Sequence, residues 1–245
     1  MNKLLALVRS EAVLLSREPT VAAFVLLLPL ALLLALGLAV DLADPASTTS
    51  RDSAAFVPSL AVALVLGTVG LISLPGTLAL YREAGVLRRL STTPASPAAL
   101  LVAQLLVHLA AVLVGTTVLA VVALTVVGLP APASPGTAVL VTALGALALF
   151  ALGLLIAALS PSARASAVLG PVLLMPVLFL AGIWVPLEVL PHWLEVLGRH
   201  SPLGALVEGL LRAWAGAPVP ASQLLAPAGT ALVAGLAAVR AFRWE

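Results

Sequence analysis

The sequence predicts an all-α membrane protein, and three observations carry that prediction. Of 245 residues, 62% are hydrophobic and 9% charged, whereas soluble domains sit nearer half apolar and a quarter charged. The mean hydropathy is +1.21, too high for the chain to cover itself with polar surface in water. Several uncharged runs reach the roughly 18–20 residues that cross a bilayer as a helix. They are long Leu/Ala/Val blocks, not the short alternating segments of a β-barrel.

Six spans follow in order: Val21–Val40, Ala54–Leu80, Leu101–Leu129, Thr137–Leu159, Ala165–Leu187 and Ala221–Val239, the last short and interrupted by Pro227. Charge sets the orientation. With the N-terminus inside, the inner segments 1–20, 81–100, 160–164 and 240–245 hold Lys3, Arg9, Arg17, Arg82, Arg88, Arg89, Arg164, Arg240 and Arg243. The outer segments hold only Arg51, Arg199 and Arg212, while Asp41, Asp44, Asp52, Glu188, Glu195 and Glu208 also lie outside. Such a bias places both termini in the cytoplasm. Trp184, Trp193, Trp214 and Trp244 fall at span ends or beyond, the positions of interfacial belts. Residues 1–20 carry five charges before a full-length apolar run, which is not the pattern of a cleavable signal.

Residues 1–18 read as a helix preceding the first span. Leu4, Leu5, Val8, Ala12 and Leu15 fall in one arc, with Arg9, Ser10, Ser16 and Arg17 beside it. Glu11 and Val13 break the pattern. A helix lying in the cytoplasmic interface with its apolar side down is expected. Residues 81–100, YREAGVLRRLSTTPASPAAL, form the only sizeable cytoplasmic loop. One short helix is predicted over Tyr81–Leu90, ended by Thr93-Pro94 and Ser96-Pro97, because proline disfavours helix at its own position and the one before. Residues 188–220 are too charged for a span and too apolar for a free loop. Leu190, Trp193, Leu194 and Leu197, then Leu203, Leu206, Leu210 and Trp214, keep helical spacing on either side of Ser201-Pro202. Two short amphipathic helices are expected there, re-entrant in the outer leaflet where protein covers their backbone.

The residue inventory excludes most chemistry. The chain has no cysteine, so disulfides and thiolate metal sites are absent. No span interior holds Asp or Glu, and no catalytic residue is assigned. His108, His192 and His200 lack metal-ligand partners at helical spacing, so no metal site is assigned either. Gln104 and His108 lie one turn apart on span 3. They read either as interhelical hydrogen bonding or as a pair lining a pathway. An ion-driven carrier needs an ionisable relay within the bilayer, for which His108 is the sole candidate. ATP hydrolysis by GxxxxGK[ST] needs a lysine, and the only lysine, Lys3, precedes Leu4. Active transport would therefore draw energy from another polypeptide on the cytoplasmic side. The basic residues mark topology and call for no nucleic acid.

The chain resembles the transmembrane subunit of type-2 ABC exporters. The likeness rests on YREAGVLRRLSTTPASPAALLVAQLL (Tyr81–Leu106) and AGIWVPLEVLPHWLEVLGRHSPLGALVEGLLRA (Ala181–Ala213). Within the first, Glu83, Gly85, Leu87–Arg88–Arg89, Thr93–Pro94, Ser96 and Leu100 follow the family pattern, although Tyr81-Arg82-Glu83 has one acid where relatives often have two. The resemblance implies a single domain over 1–245. Leu4–Arg17 would be an elbow helix, residues 84–93 a coupling helix, and 188–220 a re-entrant pair. Arg82, Glu83, Gly85, Leu87, Arg88, Arg89, Thr93 and Pro94 would form the ATPase-coupling surface. Partners would be two copies of a nucleotide-binding ATPase, which alone bind ATP and Mg, a second permease chain, identical or not, and the lipid bilayer of the cytoplasmic membrane. The expected activity is export of a drug, polyketide or lipid through a cavity lined by spans 1, 2 and 5. Pro75–Gly76, Pro171 and Pro176 would supply helix irregularities. The alternatives are a haem-exporter-like permease of cytochrome maturation and a non-transporting scaffold or sensor that binds an ATPase.

Overall fold

A computed structural model describes residues 3–17, 23–39, 48–86 and 97–241. Among these the chain is helical throughout, with no strand. The helices are α1 (Lys3–Ser16), α2 (Leu28–Ala39), α3 (Thr48–Thr68), α4 (Leu74–Glu83), α5 (Pro97–Thr125), α6 (Pro135–Leu159), α7 (Ala163–Leu180), α8 (His192–His200), α9 (Pro202–Ala215) and α10 (Ala221–Ala241). A π-helical turn, Ala23–Leu27, leads into α2, and another, Val69–Ser73, joins α3 to α4. Among the described residues five segments are long and apolar enough to cross a membrane: Ala54–Glu83, Ala99–Thr125, Pro135–Leu159, Ala163–Leu180 and Ala221–Ala241. The first predicted span appears as the shorter apolar helix Val25–Leu38.

Ala54–Glu83 is the central rod, buried along most of its length, whereas α5, α7 and α10 leave most of theirs exposed. Its core residues include Val65, Leu66, Leu71, Leu74 and Leu78. They meet Leu149 and Ile156 of α6, Leu174 and Leu178 of α7, and Leu203 and Leu206 of α9. The rod is not a uniform helix. Pro75 has no N–H to offer the carbonyl a turn back, and the chain accommodates it with a bulge in which Leu74 N–H bonds Val69 O. The Gly70 carbonyl, which Leu74 N–H would serve in a regular α-helix, and the Leu71 carbonyl, which Pro75 cannot serve, face glycines on two other helices. A Cβ at Gly153 of α6 would overlap Gly70 O, and one at Gly170 of α7 would overlap Leu71 O. Small residues let backbones approach this closely in membranes. The irregularity expected at Pro75–Gly76 thus takes the form of a π-bulge locked against two neighbours.

Three predicted boundaries are corrected. The helix expected over Tyr81–Leu90 does not start at Tyr81. Residues Tyr81–Glu83 are the last turn of the central rod, which ends at Ala84 with Gly85 at φ +68°. That left-handed position suits glycine and is a common way to stop a helix. Span 5, predicted to reach Leu187, stops at Leu180, with Gly182 at φ +77° in the turn that follows. Span 3, predicted to start at Leu101, opens at Pro97, while the predicted break at Thr93-Pro94 lies outside the described residues. Proline is well tolerated at a first helical position because its missing N–H has no intrahelical partner there.

Two short helices, α8 and α9, occupy the predicted 188–220 segment and break at Ser201. The Ser201 hydroxyl caps α9 by accepting from Gly204 N at 3.0 Å. Helix α9 is driven into the core: Leu203, Leu206, Val207 and Leu210 are buried.

Candidate functional site

The bundle has two polar ends. One carries Arg82 and the other Arg199. At the Arg82 end, α1 lies against α5 with Glu11 turned inward. Glu11 is 7% exposed, while Leu5, Val13 and Leu14 of the same helix are exposed. The predicted amphipathic arc is therefore rotated: the two residues that broke the pattern mark the two faces. A buried carboxylate must be hydrogen-bonded, and Glu11 Oε2 accepts from Tyr81 Oη at 2.6 Å and from Gln104 Nε2 at 2.5 Å.

The chain of bonds continues inward. Gln104 and His108 are 2% and 1% exposed. His108 Nδ1 lies 2.8 Å from Gln104 O. A carbonyl only accepts, so the proton sits on Nδ1, and Nε2 is left to accept from the Ser73 hydroxyl at 3.1 Å. One line of polar groups thus joins α1, α4, α5 and the π-bulge. Gln104 and His108 sit inside helix contacts here.

Tyr81 is followed by two residues with different partners. Arg82 Nη1 donates to Ala157 O at 3.2 Å, serving a carbonyl in the last turn of α6. Glu83 Oε2 accepts from Ala163 N at 3.2 Å, at the first residue of α7. Both are favourable by helix-end electrostatics, a cation near a C-terminus and an anion at an N-terminus. Ser162 completes the α7 cap by accepting from Ala165 N at 3.1 Å. Gly85 N then bonds Arg82 O at 3.0 Å as the rod ends.

Of the residues predicted for coupling, Arg82, Glu83 and Gly85 are gathered at this turn. Leu87, Arg88, Arg89, Thr93 and Pro94 lie outside the described residues. Glu11, Tyr81 and Ser73 were missed as site residues. The signal for Glu11 was present, since a carboxylate interrupting an apolar arc needs a buried partner. Its partners stand 70 and 93 residues away, beyond any local pattern.

At the opposite end, Arg199 gathers three carboxylates: Glu188 at 3.2 Å, Glu195 at 3.1 Å and Glu208 at 3.2 Å. Glu208 also pairs with Arg212 at 3.1 Å. These acids therefore have a cation supplied by the chain, and no cluster of His, Cys, Asp or Glu suited to a metal occurs among the described residues. Trp214 Nε1 donates to Pro130 O at 3.0 Å, tying α9 to the segment between α5 and α6. A cleft of about 1000 Å³ opens beside it, lined by Phe56, Leu187, Leu211 and Trp214 with Glu208 and Arg212 at its polar side.

A family model described as ABC-2 type transporter matches residues 2–214. No curated protein matches the chain.

Proposed function

The chain belongs to the ABC-2 type transporter family, and from that membership we propose that it is the permease of an ATP-driven exporter for a hydrophobic or amphiphilic substrate. The family match across residues 2–214 is the observation that carries this reading. The family supports a multi-pass membrane permease that works with an ATPase partner, and this sequence, whose only lysine is Lys3, holds no phosphate-cradling GxxxxGK[ST] motif.

In this reading six helices span the cytoplasmic membrane, with the Ala23–Ala39 helical stretch as the first. The Arg82 end faces the cytoplasm, as the excess of Lys and Arg there favours. Helix α1 is the interfacial elbow, and the chain after Gly85 docks on the ATPase. Helices α8 and α9 are re-entrant from the outer side. Two permease chains and two ATPase subunits assemble around a central path. The aromatic and aliphatic walls of the cleft at the Arg199 end support an apolar or amphiphilic cargo.

The test is made on the permease produced together with its candidate ATPase subunit. A stable complex should hydrolyse Mg-ATP and drive a lipophilic fluorescent dye into inverted membrane vesicles. Gly85→Pro should abolish the ATP-driven uptake, because proline cannot adopt φ near +68°. If no nucleotide-binding subunit binds the purified permease, the reading is wrong.

A further inference from the structure

Tyr81, Arg82 and Glu83 are consecutive residues on one helical turn. Side chains at such spacing do not face one another but fan out about 100° apart. Each therefore reaches a different neighbour. Tyr81 holds α1 through Glu11, Arg82 holds the end of α6 through Ala157 O, and Glu83 holds the start of α7 through Ala163 N. The next residues, Ala84 and Gly85, release the chain from the helix. This turn is the last described part of the rod before the loop that would meet the ATPase.

We propose that Tyr81, Arg82 and Glu83 are positioning residues that distribute displacement of the following loop to α1, α6 and α7, and that half-buried Arg82 and exposed Glu83 engage helix ends of their own bundle and not the ATPase. The inference rests on the exporter reading. The hydrogen-bond partners of Arg82 and Glu83 are backbone groups at helix ends. Such bonds fix where a helix begins or ends, so moving the side chain moves the neighbouring helix.

The chain has no cysteine, so an introduced reporter pair is the only one that each copy of it carries. Leu14→Cys on α1 and Val168→Cys on α7 replace exposed residues and accept spin labels. Distances between them are measured in the complex with the ATPase subunit, without nucleotide and with Mg-ATP plus vanadate. The expected result is a nucleotide-dependent shift that is lost in Glu83→Ala and kept in Glu83→Gln, whose amide oxygen still accepts from Ala163 N. Tyr81→Phe, which removes one hydroxyl, should lose the α1 part of the shift, and it carries the test if Glu83→Ala fails to fold.

A full shift in both Glu83→Ala and Tyr81→Phe overturns the proposal. So does loss of the ATPase subunit from an otherwise folded Glu83→Ala permease, because Glu83 would then be an intersubunit contact. If the parent permease binds no ATPase, the exporter reading falls and this inference falls with it. If the parent responds to nucleotide and the variants respond equally, only this inference falls.

Discussion

Glu11 shows how one side chain can carry the logic of a membrane end. It sits on a helix whose exposed side carries Leu5, Val13 and Leu14 beside Arg9, Ser10 and Ser16, and it points the other way. Two donors from distant parts of the chain satisfy it, so removing the acceptor takes a hydrogen bond from each, including from the buried Gln104 amide. Glu11→Leu should cost about 1–2 kcal/mol, since orphaned buried donors are expensive but hydrogen bonds in membranes are individually modest. Glu11→Gln should cost less, because its carbonyl oxygen still accepts. Thermal melting in detergent, followed by tryptophan fluorescence, gives the comparison. Equal stability of all three proteins would mean that the network contributes nothing. Such residues resist reading from sequence alone. Glu11 registered only as a defect in an arc, and Gln104 with His108 registered as a pair on one face without their partner Ser73.

The elements were more legible than their joints. Long apolar runs marked the helices because, in lipid, a helix satisfies every backbone group internally. Their ends depended on glycine conformation and proline placement. Gly85 stops the rod a few residues past the predicted Leu80, and Gly182 stops α7 before Leu187. The π-bulge was hinted at by Pro75 but needed Gly153 and Gly170 on other helices to be tolerated. That contact yields a prediction. Gly153→Ala would drive a methyl group into the Gly70 carbonyl and should destabilise by about 1–3 kcal/mol, the usual range for overpacking. Gly229→Ala in α10 meets nothing within 4 Å. It should be neutral or stabilising by up to about 1 kcal/mol through helix propensity. Melting temperatures of the two variants test the contrast, and similar values would remove the close contact from the account.

At the scale of the molecule, two ends of different chemistry face opposite ways. Orientation was read from charge counts, and it can be tested directly on a chain without cysteine. His192→Cys sits at a position whose native side chain is 88% exposed at the Arg199 end. It should react in intact cells with a membrane-impermeant maleimide. Arg164→Cys, exposed at the start of α7, should react only after permeabilisation. The reverse pattern would invert the topology. The apolar surfaces of α5, α7 and α10 are compatible with lipid or a second permease, and sequence could not divide them because both select the same residues.

The close crossing at Gly70 and Leu71 gives the central rod a fulcrum. At about 1.5 Å of rise per residue, Glu83 lies about 18 Å to one side of Leu71 and Ala54 about 26 Å to the other. A rod pivoting there acts as an unequal lever. Each ångström of sideways travel imposed beside Glu83 would become about 1.4 Å, in the opposite direction, beside the cleft. A shallow movement at one membrane face would thus be enlarged at the other, with the glycines serving as the bearing.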